Sequence, residues 1–170
     1  MCFSYIFEFK DDIFLVSEGE SYSGTGVAIS DNCIVVASQS LGSNDYSVKN
    51  RAGDSIDVNG VIGQFMGLKF LKAANTLTSG IEFVSVDLQV GDFIFTAYTT
   101  DSGLIEFNSS QLVEANDVGF LLSNEQPNGS LAFSPSGGII GLVSNNVEVI
   151  SGSIIMEYYH SQVLSLEEVP

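Results

Sequence analysis

Short apolar or alternating runs follow one another along almost the whole chain, each closed by turn-forming residues. They lie at 5–9, 13–16, 26–29, 34–37, 46–48, 61–71, 81–86, 93–98, 104–107, 111–114, 119–122, 130–133, 139–143 and 147–150. Side chains two apart on a strand share a face, so runs of roughly four to eight residues with this pattern read as strands. Asp11-Asp12, Asp31-Asn32, Gly42-Ser43-Asn44-Asp45, Asn59-Gly60, Asp101-Ser102-Gly103 and Ser136-Gly137-Gly138 punctuate them with residues that turn the backbone cheaply. The pattern predicts an all-β fold of about a dozen strands, and periodicity alone leaves a sandwich, a trefoil or a pair of barrels open. Only the tail departs from it. Ile154, Ile155, Tyr158, Tyr159, Val163, Leu164 and Leu166 recur near helical spacing behind Ser153, which predicts one amphipathic helix over 153–166.

The chain has 170 residues, 45% hydrophobic and 15% charged, enough for one domain, or two halves packed as one, to bury a core without metal or disulfides. Two cysteines, Cys2 and Cys33, supply neither a disulfide framework nor a Cys-rich zinc site and are expected as reduced thiols. The first ten residues lack a basic leader and are interrupted by Glu8, and no apolar run approaches the roughly 18–20 residues of a membrane span. A soluble, intracellular and cytoplasmic protein is the expectation.

Charge excludes further classes. Five Lys and Arg face 21 Asp and Glu, a formal −16, and all five basic residues (Lys10, Lys49, Arg51, Lys69, Lys72) precede Ala73. Such a surface repels phosphate, which argues against nucleic acid and anionic lipid and leaves a protein partner, basic or an extended peptide, as the expected ligand. The oligomeric state stays open. Asp11, Asp12, Glu18 and Glu20 lack calcium-loop spacing, and Asn108-Ser109-Ser110 and Asn128-Gly129-Ser130 read as turns despite matching the glycosylation pattern. No cofactor and no metal are expected.

Three strings narrow the architecture. Ser23-Gly24-Thr25-Gly26-Val27-Ala28-Ile29-Ser30 with Cys33-Ile34-Val35-Val36-Ala37-Ser38-Gln39, then Leu88-Gln89-Val90-Gly91-Asp92-Phe93-Ile94, then Gly129 to Leu142, occur in the order of comparable strings in trypsin-like serine proteases. Over about Ser23 to Leu166 the chain resembles that family, in its HtrA/Deg type. The resemblance implies two six-stranded antiparallel barrels, the first over about 1–86 and the second over about 87–151, with a cleft between them and a C-terminal helix.

It also implies where chemistry should sit. Serine proteolysis needs an imidazole base, a carboxylate that orients it, a hydroxyl and an oxyanion hole of backbone N–H groups. The histidine position falls on Gln39, which is not basic, and the carboxylate position on Gly80, with Glu82 or Asp87 as alternatives. The nucleophile position falls on Asn128, or on Ser130 if the alignment moves two residues. Pro127 offers no N–H in either alignment. His160 lies in the terminal helix, Cys33 near a strand start, and Lys69 and Lys72 in the first barrel. The expectation is a pseudoprotease with no catalytic residues, kept as a protein-interaction or scaffold domain. The alternatives are a hydrolase with Ser130 or Cys33 as nucleophile, or an unrelated β-barrel binding module.

Overall fold

The computed structural model describes residues 10–18, 21–37, 46–77 and 80–164. The run at 5–9, the turn at 42–45 and Gln39 lie outside them. A 3-10 turn at Lys10–Asp12 leads into β1 (Ile13–Glu18), β2 (Ser21–Ala28), β3 (Cys33–Ala37), β4 (Tyr46–Lys49), β5 (Ser55–Ile56), β6 (Val58–Phe65) and β7 (Leu68–Ala73). These form one curled antiparallel sheet in the order β5-β4-β1-β2-β3-β7-β6. The strands β8 (Phe93–Thr99), β9 (Ile105–Ala115), β10 (Gly119–Leu122), β11 (Leu131–Phe133), β12 (Ile139–Asn145) and β13 (Glu148–Ser151) close into a six-stranded barrel. Helix α1 (Gly152–Tyr158) follows and continues as a π-helical turn to Leu164.

The all-β architecture with a C-terminal helix matches the expectation, with one correction. The first unit is a seven-stranded half-barrel, because β5 and β6 are not hydrogen-bonded to each other. β5 is two residues long, and the register of β6 against β7 shifts between Val58 and Gly60 and again between Val61 and Gly63. Such bulges bend and twist a strand locally, and the two-residue β5 offers little edge to meet it. A space of about 720 Å³ lined by Ser47, Val48, Ile56, Val58 and Val61 lies along the gap.

Individual runs were also resolved differently. The stretch 61–71 is a hairpin, folded at Met66 (φ 48) and Gly67 (φ 81), two positive-φ residues as a tight type I′ turn requires. The runs at 104–107 and 111–114 are one strand, β9. The run at 81–86 is an extended linker outside both sheets; its Ile81 N–H donates to Ala28 O and its Val84 N–H to Ile139 O, so it is tied to each unit in turn.

Three apolar clusters explain why many runs are continuous and not alternating. Along β3, Ile34 and Val36 face the half-barrel interior with Phe14, Val16, Val48 and Leu71, while Cys33 and Val35 face the other way. That second face meets Leu68, Phe70, Ala97, Leu131, Phe133 and Leu142, a core shared by both units. All five residues of β3 are therefore buried. Ile94, Leu112, Ala132, Ile140 and Val143 fill the closed barrel. Each large side chain fully buried in these layers contributes about 1.5–3 kcal/mol.

The helix seals the shared core with Ile155 and Tyr159. Its Tyr158 hydroxyl accepts from Gln64 N–H and donates to Gln64 O, both at 3.2 Å, and the Tyr159 hydroxyl bonds Ser30 Oγ at 2.9 Å. Ser151, not Ser153, occupies the N-cap, without a side-chain cap bond. Gly152 has no room for a Cβ, because the ring of linker residue Phe83 packs there.

Candidate functional site

The turn that enters β11 is the place where the half-barrel and the closed barrel meet. Ser130 N–H donates to Pro127 O at 3.2 Å, and Gly129 sits at φ +87, the value a type II turn demands of its third residue. A Cβ on Gly129 would stand 2.7 Å from Thr25 O on β2 and 3.7 Å from Ala37 N at the end of β3. Only glycine lets the turn approach the half-barrel so closely. Beside it Thr99 N–H donates to Thr25 Oγ1 at 3.0 Å, and the two buried threonine hydroxyls lie 3.2 Å apart, a polar pin between the units.

Within the turn, several polar groups are held by the protein's own structure. Asn128 Oδ1 accepts the N–H of Asn146 at 2.7 Å, and Gln126 N–H donates to Asn146 O at 2.6 Å. Asn146, at φ 49 between β12 and β13, thus has both its backbone groups engaged by the loop beside it. The Gln126 side chain is 4% exposed; its Oε1 accepts from Thr96 Oγ1 at 2.6 Å and its Nε2 donates to Asn124 O at 3.4 Å. Ser130 is wholly buried and its hydroxyl donates to Pro127 O at 2.5 Å. Gly129 N–H donates to Val143 O at 2.7 Å.

These contacts decide what the local groups can do. A nucleophilic hydroxyl must reach solvent-borne substrate and hand its proton to a base. Ser130 has no exposed surface, and its O–H is hydrogen-bonded to a carbonyl, which is no base. Cys33 is equally buried, four residues before the end of β3 and so about 13 Å from it at strand rise. An oxyanion hole built on position 128 would draw on the N–H two residues upstream, that of Gln126, and this donor is committed to Asn146 O.

Gly80 is not brought to this place. A Cβ there would collide with Ile29 and Ser30 in the turn between β2 and β3, so Gly80 lies at the start of β3, whereas Gln39 follows its end. Glu82 and Asp87 are exposed residues of the linker. The strand that runs antiparallel to β3 and begins beside its end is β7, with Ala37 opposite Leu68. Its preceding turn is Met66–Gly67, and a Cβ on Gly67 would touch Ser144 O and Cβ on β12. His160 is exposed in the π-helical turn and lines a separate cavity of about 320 Å³ with Glu82, Phe83, Phe120 and Ser151. Lys69 and Lys72 lie on β7 opposite Val36 and Cys33.

Asn146 was the residue that reading the sequence missed. Its one signal is Asn145-Asn146 between two apolar strands, since Asn tolerates positive φ better than other side chains. Among the described residues no group of three or more His, Cys, Asp or Glu is gathered as a metal would require. No described helix is long and apolar enough to cross a membrane.

Two antiparallel β units packed on a shared core and closed by a helix give the fold of the trypsin-like serine proteases, here with the first unit left as a half-barrel. Among solved structures the chain is similar to the Rv3671c protease of M. tuberculosis in its inactive form, with a TM-score of 0.71 at 13% identity over 93% of this chain and 92% of that one. It is also similar to kallikrein-related peptidase 10 in complex with Zn2+, with a TM-score of 0.70 at 12% identity, covering 92% of this chain and 97% of that one. A third is the MamO protease domain of Magnetospirillum magneticum, with a TM-score of 0.69 at 14% identity over 88% and 96% of the two chains. No protein-family model and no curated protein matches the sequence.

Proposed function

We propose that this chain is a trypsin-fold pseudoprotease of HtrA-like descent that serves as a protein-interaction or scaffold domain. The observation that carries the reading is the closure around Asn146: Asn128 Oδ1 takes its N–H and Gln126 N–H takes its carbonyl. A peptide whose scissile carbonyl lay beside position 128 would need free backbone groups on the neighbouring chain to align it. It would also need the Gln126 N–H for its oxyanion. One donor lost from such a hole costs about two to three orders of magnitude in rate. Absence of the base removes roughly two to four more.

The three degenerate positions are Gln39, Asn128 and, in place of Gly80, the Met66–Gly67 turn. The approach of Gly129 to the end of β3 supports pairing the first two, because it sets the nucleophile turn close to Ala37, two residues before Gln39 in the sequence. The start of β7 beside the end of β3 supports the third, because Leu68 stands opposite Ala37, two residues before position 39 in the sequence. A two-residue hairpin leaves no loop to carry a carboxylate. The burial of Ser130 and Cys33 counts against an alternative nucleophile.

The test is incubation with unfolded casein and, separately, with a fluorophosphonate probe. Neither casein cleavage nor covalent labelling is expected. Stoichiometric labelling of Ser130 or any other serine, abolished by heat denaturation, overturns the reading.

A further inference from the structure

The interaction reading above leaves the surface unnamed, and on that reading rests the following. With the loop beside Asn146 closed on itself, a partner has to be held elsewhere. The outer face of β8 and β9 carries a strip of exposed apolar side chains: Val90 is 73% exposed, Phe93 54% and Val113 45%. They are neighbours. Phe93 stands opposite Gln111, the exposed Val113 lies two residues farther along β9 at its bulge against β10, and the turn bearing Val90 is tied to β9 by Gly91 N–H to Leu112 O and Leu112 N–H to Asp92 O. Single exposed apolar residues are ordinary, but three on segments joined by backbone hydrogen bonds, one of them Phe, gather apolar surface in one region.

Its border is acidic. Asp92 precedes Phe93, Glu114 follows Val113, and Glu125 lies just beyond the Ser110, Ser123 and Asn124 hydrogen bonds that join the next loop to β9. Between Asp87 and Ser151 the sequence has eight carboxylates and no Lys or Arg, so the barrel cannot neutralise this border with a cation of its own. A second copy of the chain would bring the same charge to the same place, and phosphate surfaces are repelled as well. We infer that Val90, Phe93 and Val113 form the docking strip for a basic amphipathic segment of a protein partner, its apolar side chains on the strip and its Lys or Arg on Asp92, Glu114 and Glu125. Opposite charge speeds and orients the encounter, and the desolvated aromatic anchor supplies the larger share of affinity.

The test is fluorescence anisotropy of the full chain with three labelled synthetic peptides: lysine pairs alternating with leucine pairs, lysine alone, and the first peptide with glutamate for lysine. Binding is expected for the lysine and leucine peptide only. Phe93→Ser with Val113→Ser should weaken it by about tenfold or more, while Asp92→Asn, Glu114→Gln and Glu125→Gln together should flatten its salt dependence. These residues are on the surface, and an unchanged melting temperature would show that each variant is folded. Equal binding of the lysine-only peptide, no binding of any peptide, or unchanged affinity in the Phe93 and Val113 variant overturns the proposal. So does a dimer in sedimentation that the same variant dissolves. Casein cleavage would defeat the pseudoprotease reading without touching this strip, so the two fail separately.

Discussion

The closed barrel and the half-barrel are built from similar short strands, yet only one of them finishes its hydrogen-bond circuit. Each strand from β8 to β13 has two partners, whereas the half-barrel ends in β5 and β6 with a gap of about 720 Å³ beside them. The half-barrel holds every Lys and Arg of the chain, and the closed barrel holds none. The contrast teaches that closure here does not follow apolar content, since both units enclose a cluster of seven buried residues and only the half-barrel ends in a two-residue edge strand, β5.

The sharpest way to break the contrast is to ask whether the two units unfold separately. Phe133 is 1% exposed and belongs to the core they share. Phe133→Ala should cost about 3–5 kcal/mol, and denaturant unfolding followed by tyrosine fluorescence and by far-ultraviolet dichroism should remain one coincident transition. Two transitions would mean that the shared core does not couple the units.

A matched glycine pair comes next. A Cβ on Gly141 of β12 would run into the Ile150 carbonyl of β13, while one on Gly60 of β6 meets open space and only the strain of φ +132. Gly141→Ala is expected to cost about 3 kcal/mol and Gly60→Ala about 1 kcal/mol, measured by urea titration. Equal costs would show that the closed circuit is no more rigid than the open one.

Gln126→Ala removes the acceptor of the buried Thr96 hydroxyl at the base of the turn. A loss of about 1–2 kcal/mol should follow, recovered in part by pairing it with Thr96→Val, which removes the stranded hydroxyl. No recovery in this double-mutant cycle would mean that Gln126 acts by filling space. The smallest effect concerns charge. Raising ionic strength from about 0.05 to 0.5 M should raise the melting temperature slightly, because self-repulsion among surface carboxylates is screened. A fall would point to ion pairs of the half-barrel as the larger electrostatic contribution.

How much of this could be read from the sequence differs by region. The strands of the closed barrel were legible because Gly, Asn and Asp mark almost every boundary and the apolar runs are short. The string from Gly129 to Leu142 located the turn into β11 and the β11–β12 hairpin for the same reason. The hairpin of β6 and β7 was hidden, because its turn is Met66–Gly67 and Met is not a residue that signals positive φ. With that hairpin read as one long run, the strand of the first unit that ends at Ala73 stayed hidden, and the next apolar alternation, 81–86, proved to be a linker that begins at Gly80 beside the turn between β2 and β3. Asn146 acts through its backbone, so its part in closing the loop lay in the register of β12 with β13 and not in any motif.

The helix carries one more consequence, for the order in which the protein is made. Tyr158 reaches back 94 residues to Gln64 and Tyr159 reaches back 129 residues to Ser30, so the half-barrel is fastened by the last described element of the chain. During synthesis the first seven strands emerge while the parts that fasten them do not yet exist. Pairings this distant in sequence form late and slowly. The nascent half-barrel therefore waits through the 85 residues from Ala73 to Tyr158 before its fastening exists, which makes it the stage at which chaperones or aggregation have their longest opportunity.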